Sequence, residues 1–334
     1  MSSTFAQLSR RLIPCVAATL VVLAALLCHA SDSKKKKGNA GADPSSRVID
    51  AGQLLRDVQA LADDRMQGRK TDTEGGARAR AYVVEAFKRS GVEPFGASYL
   101  RPFEFSYPKQ TAVHHGVNIV GQIRGRARPE RYLVVTAHYD HLGVVDKKIY
   151  NGADDNASGV AALLAVAKYF REHPPAHSII FAALDAEEDS GAGGRWFVRS
   201  PPVEQRAIVL NVNLDMVSHN ERNELYAAGA AHYPFLKPYL DEIAARAPVR
   251  LLLGHDRPVP SSKDDWTQQS DHAAFHAAKI PFVYFGVEDH ANYHKPSDDF
   301  KTITPRFFVS AVETILSAVR VFDDNLAAIE KQRS

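Results

Sequence analysis

Imidazole and carboxylate side chains lie next to apolar segments of this chain at positions where they could bind a metal. His138 directly follows the run 132–137, which is short, apolar and β-branched and therefore predicts a buried parallel strand. Asp155 precedes the run 160–167, whose apolar residues recur at helical spacing. Groups placed between the end of a strand and the start of a helix lie at the edge where open α/β sheets bind ligands.

Three further clusters of this kind follow predicted strands, namely Glu187-Glu188, Asp215 and Tyr293-His294. Zinc is bound by imidazole and carboxylate, and catalytic zinc sites keep a position open for water or substrate. Two metals about 3.5–4 Å apart need one shared carboxylate and further ligands on each ion. Two histidines and three carboxylates meet that need, so the pattern indicates one site for two metals.

Each of these residues also has an ordinary structural interpretation. Asp154 and Asp155 could cap the following helix, and Glu187 and Glu188 could be solvated acids of a loop. Asp215 is harder to explain in this way, because its neighbours 208–214 are mostly apolar and an unpaired buried carboxylate is costly. Taken together, the clusters favour the metal site.

The combination of motifs resembles the co-catalytic dizinc aminopeptidases related to aminopeptidase Y and bacterial leucyl aminopeptidase, peptidase family M28. The resemblance runs from the Gly68-Arg69 turn to the C-terminal helix. It is most specific in six motifs: His138-Tyr-Asp-His-Leu-Gly, Gly152-Ala-Asp-Asp-Asn-Ala-Ser-Gly159, Ala186-Glu-Glu188, Asn213-Leu-Asp215, Ser270-Asp-His272 and Tyr293-His-Lys-Pro-Ser-Asp298. It implies the zinc exopeptidase fold, a single three-layer α/β/α domain with a mixed, largely parallel sheet.

The resemblance also implies roles and two zinc ions per chain. Asp155 would bridge the ions, His138 and Asp215 would complete one of them, and Glu188 and His294 the other. Glu187 would be the general base for a metal-bridging water, and Tyr293 would hydrogen-bond the oxyanion. Asp140 would orient the His138 ring. His141, Asp271, His272, Asp298 and Asp299 are expected to be structural or supporting polar groups.

The predicted function is that of an exported metal-dependent aminopeptidase acting on peptides with a free N-terminus. One alternative is a glutaminyl cyclase, which shares the fold but uses a single zinc. Another, from a different class, is an inactive membrane-tethered binding domain. An inactive domain should have lost ligands or the base, and none is missing here. Residues 218–270 and the loop 287–292 are expected to line the substrate pocket.

The elements that would position these groups alternate between strands and helices, which predicts one α/β domain with helices on both faces over residues 47–330. Predicted strands are 117–123, 132–137, 178–184, 207–214 and 280–285, and predicted helices are 51–63, 75–90, 157–171 and a long one after the N-cap Thr304. Residues 218–270 are predicted to form a loop-rich insertion with one helix near 234–245.

The N-terminal segments are predicted to lie outside that domain. Residues 1–30 combine Arg10 and Arg11 with the apolar stretch 12–28, which indicates a cleaved export signal, with an uncleaved anchor or a lipid on Cys28 as alternatives. Residues 31–46 are polar and small, as in a disordered linker. We therefore expect a periplasmic or secreted protein whose membrane contact, if any, is made by the N-terminal segment.

Composition narrows the chemistry further. Both cysteines, Cys15 and Cys28, belong to the export segment, so a cysteine nucleophile and a thiolate zinc site are excluded from the mature domain. The formal net charge of +2 is supplied by Arg10 and Arg11. The remaining chain is balanced in charge, which gives no indication of a nucleic-acid partner.

Overall fold

The sheet at the centre of the protein carries the site. In the computed structural model, which describes residues 44–106, 111–257 and 264–333, nine strands form this sheet and a short hairpin lies beside it. The strands are β1 (Glu93–Pro94), β2 (Leu100–Phe105), β3 (His114–Ile123), β4 (Arg128–His138), the hairpin β5 (Gly143–Val145) and β6 (Lys148–Tyr150), β7 (His177–Leu184), β8 (Ile208–Leu214), β9 (Glu224–Ala228), β10 (Arg250–Leu253) and β11 (Phe282–Gly286).

The sheet is mixed, and its parallel centre is the part that matters for the site. The strand order is β1-β3-β7-β4-β8-β11-β9-β10, and β2 also pairs with β3. Strands β7, β4, β8 and β11 pair in parallel, whereas β3 and β9 pair antiparallel on either flank. All eight residues of β7 are buried, as expected for a parallel strand covered on both faces. The predicted α/β class with a mixed sheet is confirmed.

Helices cover both faces of the sheet, so the protein has the three layers that were predicted. They are α1 (Ala51–Leu61), α2 (Glu74–Arg89), α3 (Gly159–Glu172), α4 (Ala192–Arg199), α5 (Lys237–Arg246), α6 (His272–Ala277) and α7 (Pro305–Gln332). Helices α1, α2, α3, α5 and α7 contribute to the larger core on one face. Helices α4 and α6 pack on the other face through Phe197 and Phe275, whose ring centroids lie 5.6 Å apart.

The ends of the predicted helices and strands agree with the observed ones to within a few residues. Thr304 precedes Pro305 at the start of α7, but its side chain makes no capping hydrogen bond. Asp50 and Thr73 do cap α1 and α2, accepting from Gln53 and Gly76. Of these caps, the sequence analysis named only Thr304.

The prediction that residues 218–270 are loop-rich with a single helix missed two strands of the sheet. Strands β9 and β10 lie in this segment, pair in parallel with each other and join the sheet through β11. They are five and four residues long, too short for an alternating pattern to stand out. The one helix predicted there is confirmed as α5, preceded by a 3₁₀ turn at Pro234–Leu236.

The described residues from Pro44 to Arg333 cluster as one compact unit. The predicted export segment 1–30, and the predicted linker apart from residues 44–46, lie outside the described residues. Within the described part of the chain, no helix is both long and apolar enough to cross a membrane.

Candidate metal centre

The carboxyl ends of the parallel strands bring the predicted residues to one edge of the sheet. Strand β4 ends at His138, residues 185–188 follow β7, and Asp215 follows β8. The loop after β11 carries His294. Because β4, β7, β8 and β11 run in the same direction, their carboxyl ends open onto a common cleft.

One group of possible ligands consists of His138, Asp155 and Asp215, all of them buried. Nε2 of His138 lies 3.4 Å from Oδ1 of Asp155 and 3.3 Å from Oδ1 of Asp215. The three side chains come from β4, from the turn before α3 and from the end of β8. The structure therefore brings together three residues that are up to 77 positions apart in sequence.

A second group meets on the other oxygen of Asp155. Nε2 of His294 lies 3.1 Å from Oδ2 of Asp155 and 3.3 Å from Oε2 of Glu188. Asp155 thus turns one oxygen to His138 and the other to His294. This is the arrangement required of a carboxylate shared by two cations.

The second group also contains His141, which the sequence analysis had set aside as a supporting residue. Its Nδ1 lies 2.7 Å from Oε1 of Glu188 and 3.8 Å from Oδ2 of Asp155. The spacing of His138 and His141, three residues apart after a strand, was the available signal for a second imidazole here.

The distances separate a ligand from a supporting residue. Two atoms that are each about 2.0–2.1 Å from a tetrahedral zinc lie about 3.3 Å from one another. The four separations made by His138 and His294 are 3.1–3.4 Å and fit a zinc ion between the partners. The 2.7 Å contact between His141 and Glu188 is a hydrogen-bond distance, so His141 fits a residue that orients Glu188.

Electrostatics give a further reason for cations at this place. Burial raises the pKa of Asp155, but the imidazoles of His141, His138 and His294 outweigh it, and the pKa falls well below its usual range. Burial raises the pKa of Asp215 in spite of the neighbouring His138. Since buried carboxylates are stable only when paired, this donor set fits two divalent cations held by His138, Asp155, Asp215, Glu188 and His294.

Glu187, the predicted general base, is half-buried beside these groups. Burial raises its pKa well above the usual range, and the negative charges of Asp271, Asp215 and Glu188 act in the same direction, against the lowering effect of His138. A nearby cation would lower this pKa. The half-buried position next to other carboxylates is therefore what a carboxylate base needs in order to keep its affinity for a proton.

Asp140 supports both the predicted base and the predicted ligand next to it. Its carboxylate accepts hydrogen bonds from the backbone N–H groups of Glu187 (3.1 Å) and Glu188 (3.2 Å). Nδ1 of His138 lies 3.7 Å from the carboxylate and 3.2 Å from the main-chain oxygen of Asp140. The predicted orienting role toward His138 is thus accompanied by a closer contact with the 187–188 backbone.

Comparison with known proteins agrees with this site. Residues 118–319 match the sequence profile described as Peptidase family M28. The chain belongs to peptidase family M28. The matched segment contains all the predicted metal ligands together with Glu187 and Tyr293.

Several curated relatives of this chain are named as probable zinc metalloproteases. A probable zinc metalloprotease of Leptosphaeria maculans is 24% identical over 304 residues, covering 78% of this chain and 68% of its own. One from Pyrenophora teres f. teres is 22% identical over 284 residues, covering 73% and 57%. The chain thus spans between about half and two thirds of the length of these relatives. A metal-dependent peptidase, as predicted, is confirmed at the level of the family.

Solved structures show the same fold at low identity. BSAP, a zinc aminopeptidase from Bacillus subtilis, superposes with a TM-score of 0.67 at 16% identity, covering 82% of this chain and 96% of its own. The glutaminyl cyclase of Porphyromonas gingivalis superposes with a TM-score of 0.68 at 19% identity, covering 83% and 99%. The predicted fold class is confirmed, and both enzyme types named in the sequence analysis share it.

The candidate metal centre of this chain lies in a cleft of about 450 Å³. Tyr293 lines the cleft and stacks on the imidazole of His294 with ring centroids 3.9 Å apart. Burial raises the pKa of Tyr293, so its hydroxyl stays protonated and able to donate. At another wall Trp266 stacks on His255 at 3.8 Å and meets Tyr284 edge-on, which fixes an aromatic side of the cleft.

The loops around the candidate metal centre are tied together by Arg69, which the sequence analysis did not single out as a functional residue. Arg69 is fully buried, and its guanidinium donates hydrogen bonds to five main-chain oxygens. These belong to Leu61, Tyr139, Asn151, Gly152 and Asp155. No sequence pattern predicts such contacts, because the acceptors are backbone atoms up to 86 positions away.

The loop that carries Tyr293 and His294 is anchored at both ends to the residues around Asp155. Nε2 of His290 lies 3.1 Å from Oδ2 of Asp154, whose Oδ1 accepts from the backbone and hydroxyl of Ser218. Asp298 accepts from the backbone N–H groups of Asp154 (3.0 Å) and Asp155 (3.1 Å). Asp154 therefore holds neighbouring loops in place, and its carboxylate makes no capping hydrogen bond to α3.

Proposed function

We propose that this protein is a dizinc aminopeptidase that removes N-terminal residues from peptides. The observation that carries the proposal is the placement of Asp155 between two sets of ligands, with separations of 3.1–3.4 Å from its oxygens to His138 and His294. Zinc, when bound, supplies Lewis acidity and lowers the pKa of the water that it binds to about 7.

The protein's own residues supply the proton transfers and the charge stabilisation. Glu187 takes a proton from the attacking water and delivers it to the leaving amine. Tyr293, protonated and facing the cleft, donates a hydrogen bond to the oxygen that becomes negative when the carbonyl is attacked. Asp140 fixes the backbone of Glu187 and so limits the positions its carboxylate can adopt.

Several features support action at a free N-terminus. The cleft contains the carboxylates of Glu187, Asp271 and Asp289, which favour a protonated α-amine. A zinc aminopeptidase is among the structures that share this fold. Peptides with a free N-terminus are therefore the proposed substrates, and no nucleic-acid partner is proposed.

The proposal is tested by rates on leucyl-p-nitroanilide and its N-acetylated equivalent, together with the zinc content of the purified protein. We expect two zinc ions per chain and hydrolysis of the free-amine substrate only. Equal rates on both substrates would refute the aminopeptidase assignment.

The role of Glu187 is tested separately. The Glu187→Gln variant should keep its zinc and lose about 10²–10⁴-fold in kcat, because removal of a general base costs about that much. Glu221→Gln, which changes an exposed acid in the same way, is the matched control. Unchanged hydrolysis by Glu187→Gln would refute the base assignment even if zinc binds.

A glutaminyl cyclase is the second candidate, favoured by a fold similarity equal to that of the aminopeptidase. It would contain one zinc and cyclise an N-terminal glutamine. The two candidates are distinguished by zinc content and by ammonia release from glutaminyl peptides.

Export is proposed from residues 1–30 alone, with Arg10 and Arg11 before the apolar stretch 12–28. N-terminal sequencing of the protein isolated from its host should find a chain that begins after residue 30. A start at Met1 in a membrane fraction would indicate an anchor instead.

A further inference from the structure

A second groove continues the catalytic cleft along helix α4. It measures about 400 Å³, and we call it the α4 groove; the residues that define it are Phe103, Phe105, Val113, Arg195, Trp196 and Arg199. Arg195 lines both the groove and the catalytic cleft, together with Glu187 and Gly191 on the cleft side. The two spaces are therefore neighbours.

The floor of the α4 groove is aromatic and rigid. Phe103 is buried and stacks on Trp196 with ring centroids 5.5 Å apart and planes 23° apart. Its centroid also lies 6.0 Å from that of Phe105. The half-buried rings of Phe105 and Trp196, packed on Phe103 in this way, offer an apolar surface for the backbone and side chains of a peptide.

The rim of the α4 groove is positively charged. Arg195 and Arg199 are exposed and lie one turn apart on α4, where like charges repel. Among the described residues, neither guanidinium forms an ion pair with a carboxylate. Arg195 donates to the main-chain oxygen of Ser190, which fixes its direction and leaves its charge uncompensated. Glu104, an acid that also lines the groove, has its carboxylate 3.8 Å from Nδ1 of His115.

The position of the α4 groove suits the part of a substrate that follows the scissile bond. The loop from Glu187 leads directly into α4, with the N–H of Gly191 donating to the oxygen of Glu187. Glu187 is the residue proposed to protonate the leaving amine, so the leaving segment departs on its side of the cleft. The Trp266 wall forms another side of the cleft.

We propose that the α4 groove binds the segment of a peptide beyond the scissile bond, and that Arg195 and Arg199 pair with a carboxylate of that segment. This inference rests on the proposed aminopeptidase function. The two arginines are about 6 Å apart along the helix axis, close to the spacing of residues on the same face of an extended peptide. The carboxylate is either the C-terminus of a short peptide or an acidic side chain.

Four peptides distinguish these sources: Leu-Ala-Ala as free acid, Leu-Ala-Ala-amide, Leu-Ala-Glu-amide and Leu-Ala-Gln-amide. For the wild type we expect kcat/KM to be about 3–10-fold higher for the charged peptide than for its neutral counterpart in at least one of two pairs. The pairs are Leu-Ala-Ala free acid against Leu-Ala-Ala-amide, and Leu-Ala-Glu-amide against Leu-Ala-Gln-amide. The difference should arise from a lower KM for the charged peptide. A preference confined to one pair identifies the source of the carboxylate. In Arg199→Gln this fold-preference should fall to less than half of the wild-type value. Arg246 is an exposed helical arginine outside the groove, and Arg246→Gln should keep the wild-type preference.

Binding measured without turnover separates this inference from the proposed function. Calorimetric titration of zinc-loaded Glu187→Gln with the same four peptides should show the same 3–10-fold preference in Kd, which the additional Arg199→Gln change should remove. Equal affinities for charged and neutral peptides would overturn the α4 groove assignment even if leucyl-p-nitroanilide is hydrolysed. A preference in Kd for the charged peptides, combined with no hydrolysis of any of the four peptides by the wild type, would uphold the α4 groove assignment and refute the peptidase proposal.

Discussion

Replacement of Arg69 by methionine removes a buried side chain that ties the segment after β4 to the segment before α3, beside the candidate metal centre. The guanidinium donates to the oxygens of Tyr139 (2.8 Å), Leu61 (2.9 Å) and Gly152 (2.9 Å), and also to Asn151 and Asp155. Burial lowers the pKa of Arg69 to about 10, against the raising effect of nearby acids that include Asp155. Arg69 is therefore still charged at neutral pH.

The magnitude follows from the acceptors that Arg69→Met leaves without a donor. A buried polar group that loses its partner costs about 1–3 kcal/mol, and the carbonyl oxygens of Tyr139, Leu61 and Asn151 would each lose a bond shorter than 3.0 Å. Removing the buried charge recovers part of this cost. We expect the free energy of unfolding to fall by about 3–5 kcal/mol, a large share of the 5–15 kcal/mol typical of a protein domain.

The assay is urea unfolding of the chelator-treated protein, with zinc affinity measured by competition with a chelator. Arg69→Lys, which keeps a charge but has three donors on one atom, should also be destabilised, because a single ammonium cannot reach five separate oxygens. Zinc affinity should fall about 10–100-fold, as for other partners that orient ligands. The exposed Arg206 provides a matched control in Arg206→Met. A loss below about 1 kcal/mol in Arg69→Met would refute this reasoning.

Two further predictions test the imidazoles. Burial lowers the pKa of His272 to about 3, so this imidazole binds a proton near pH 6.5 in the unfolded chain but not in the folded chain. The free energy of unfolding should therefore fall by about 2–3 kcal/mol from pH 7.5 to 4.5. In His272→Gln this part of the pH dependence should be absent, as measured by urea unfolding of chelator-treated protein. His294→Ala should lose one zinc ion per chain, whereas His141→Ala should keep both ions with about 10–100-fold weaker binding, since His141 contacts Glu188 at a hydrogen-bond distance. One zinc ion in His141→Ala and two in His294→Ala, measured by elemental analysis, would reverse the assignment of the two residues.

The sequence by itself determined the class of fold and the chemical groups of the candidate centre. Apolar runs such as 132–137 and 178–184 predict parallel strands because both faces of such strands are buried, and the acids that follow them are then brought to one edge by topology alone. This is why His138, Asp155 and Asp215 could be named before their separations were known.

Only the tertiary structure decided how those groups are held and how far each imidazole lies from Glu188. The difference between His141 and His294 at Glu188 is a matter of 2.7 Å against 3.3 Å, and no spacing along the chain encodes it. Arg69 and the α4 groove were not predicted for the same reason. Their contacts join backbone oxygens and side chains distant in sequence, and such contacts exist only after strands and helices have packed against each other.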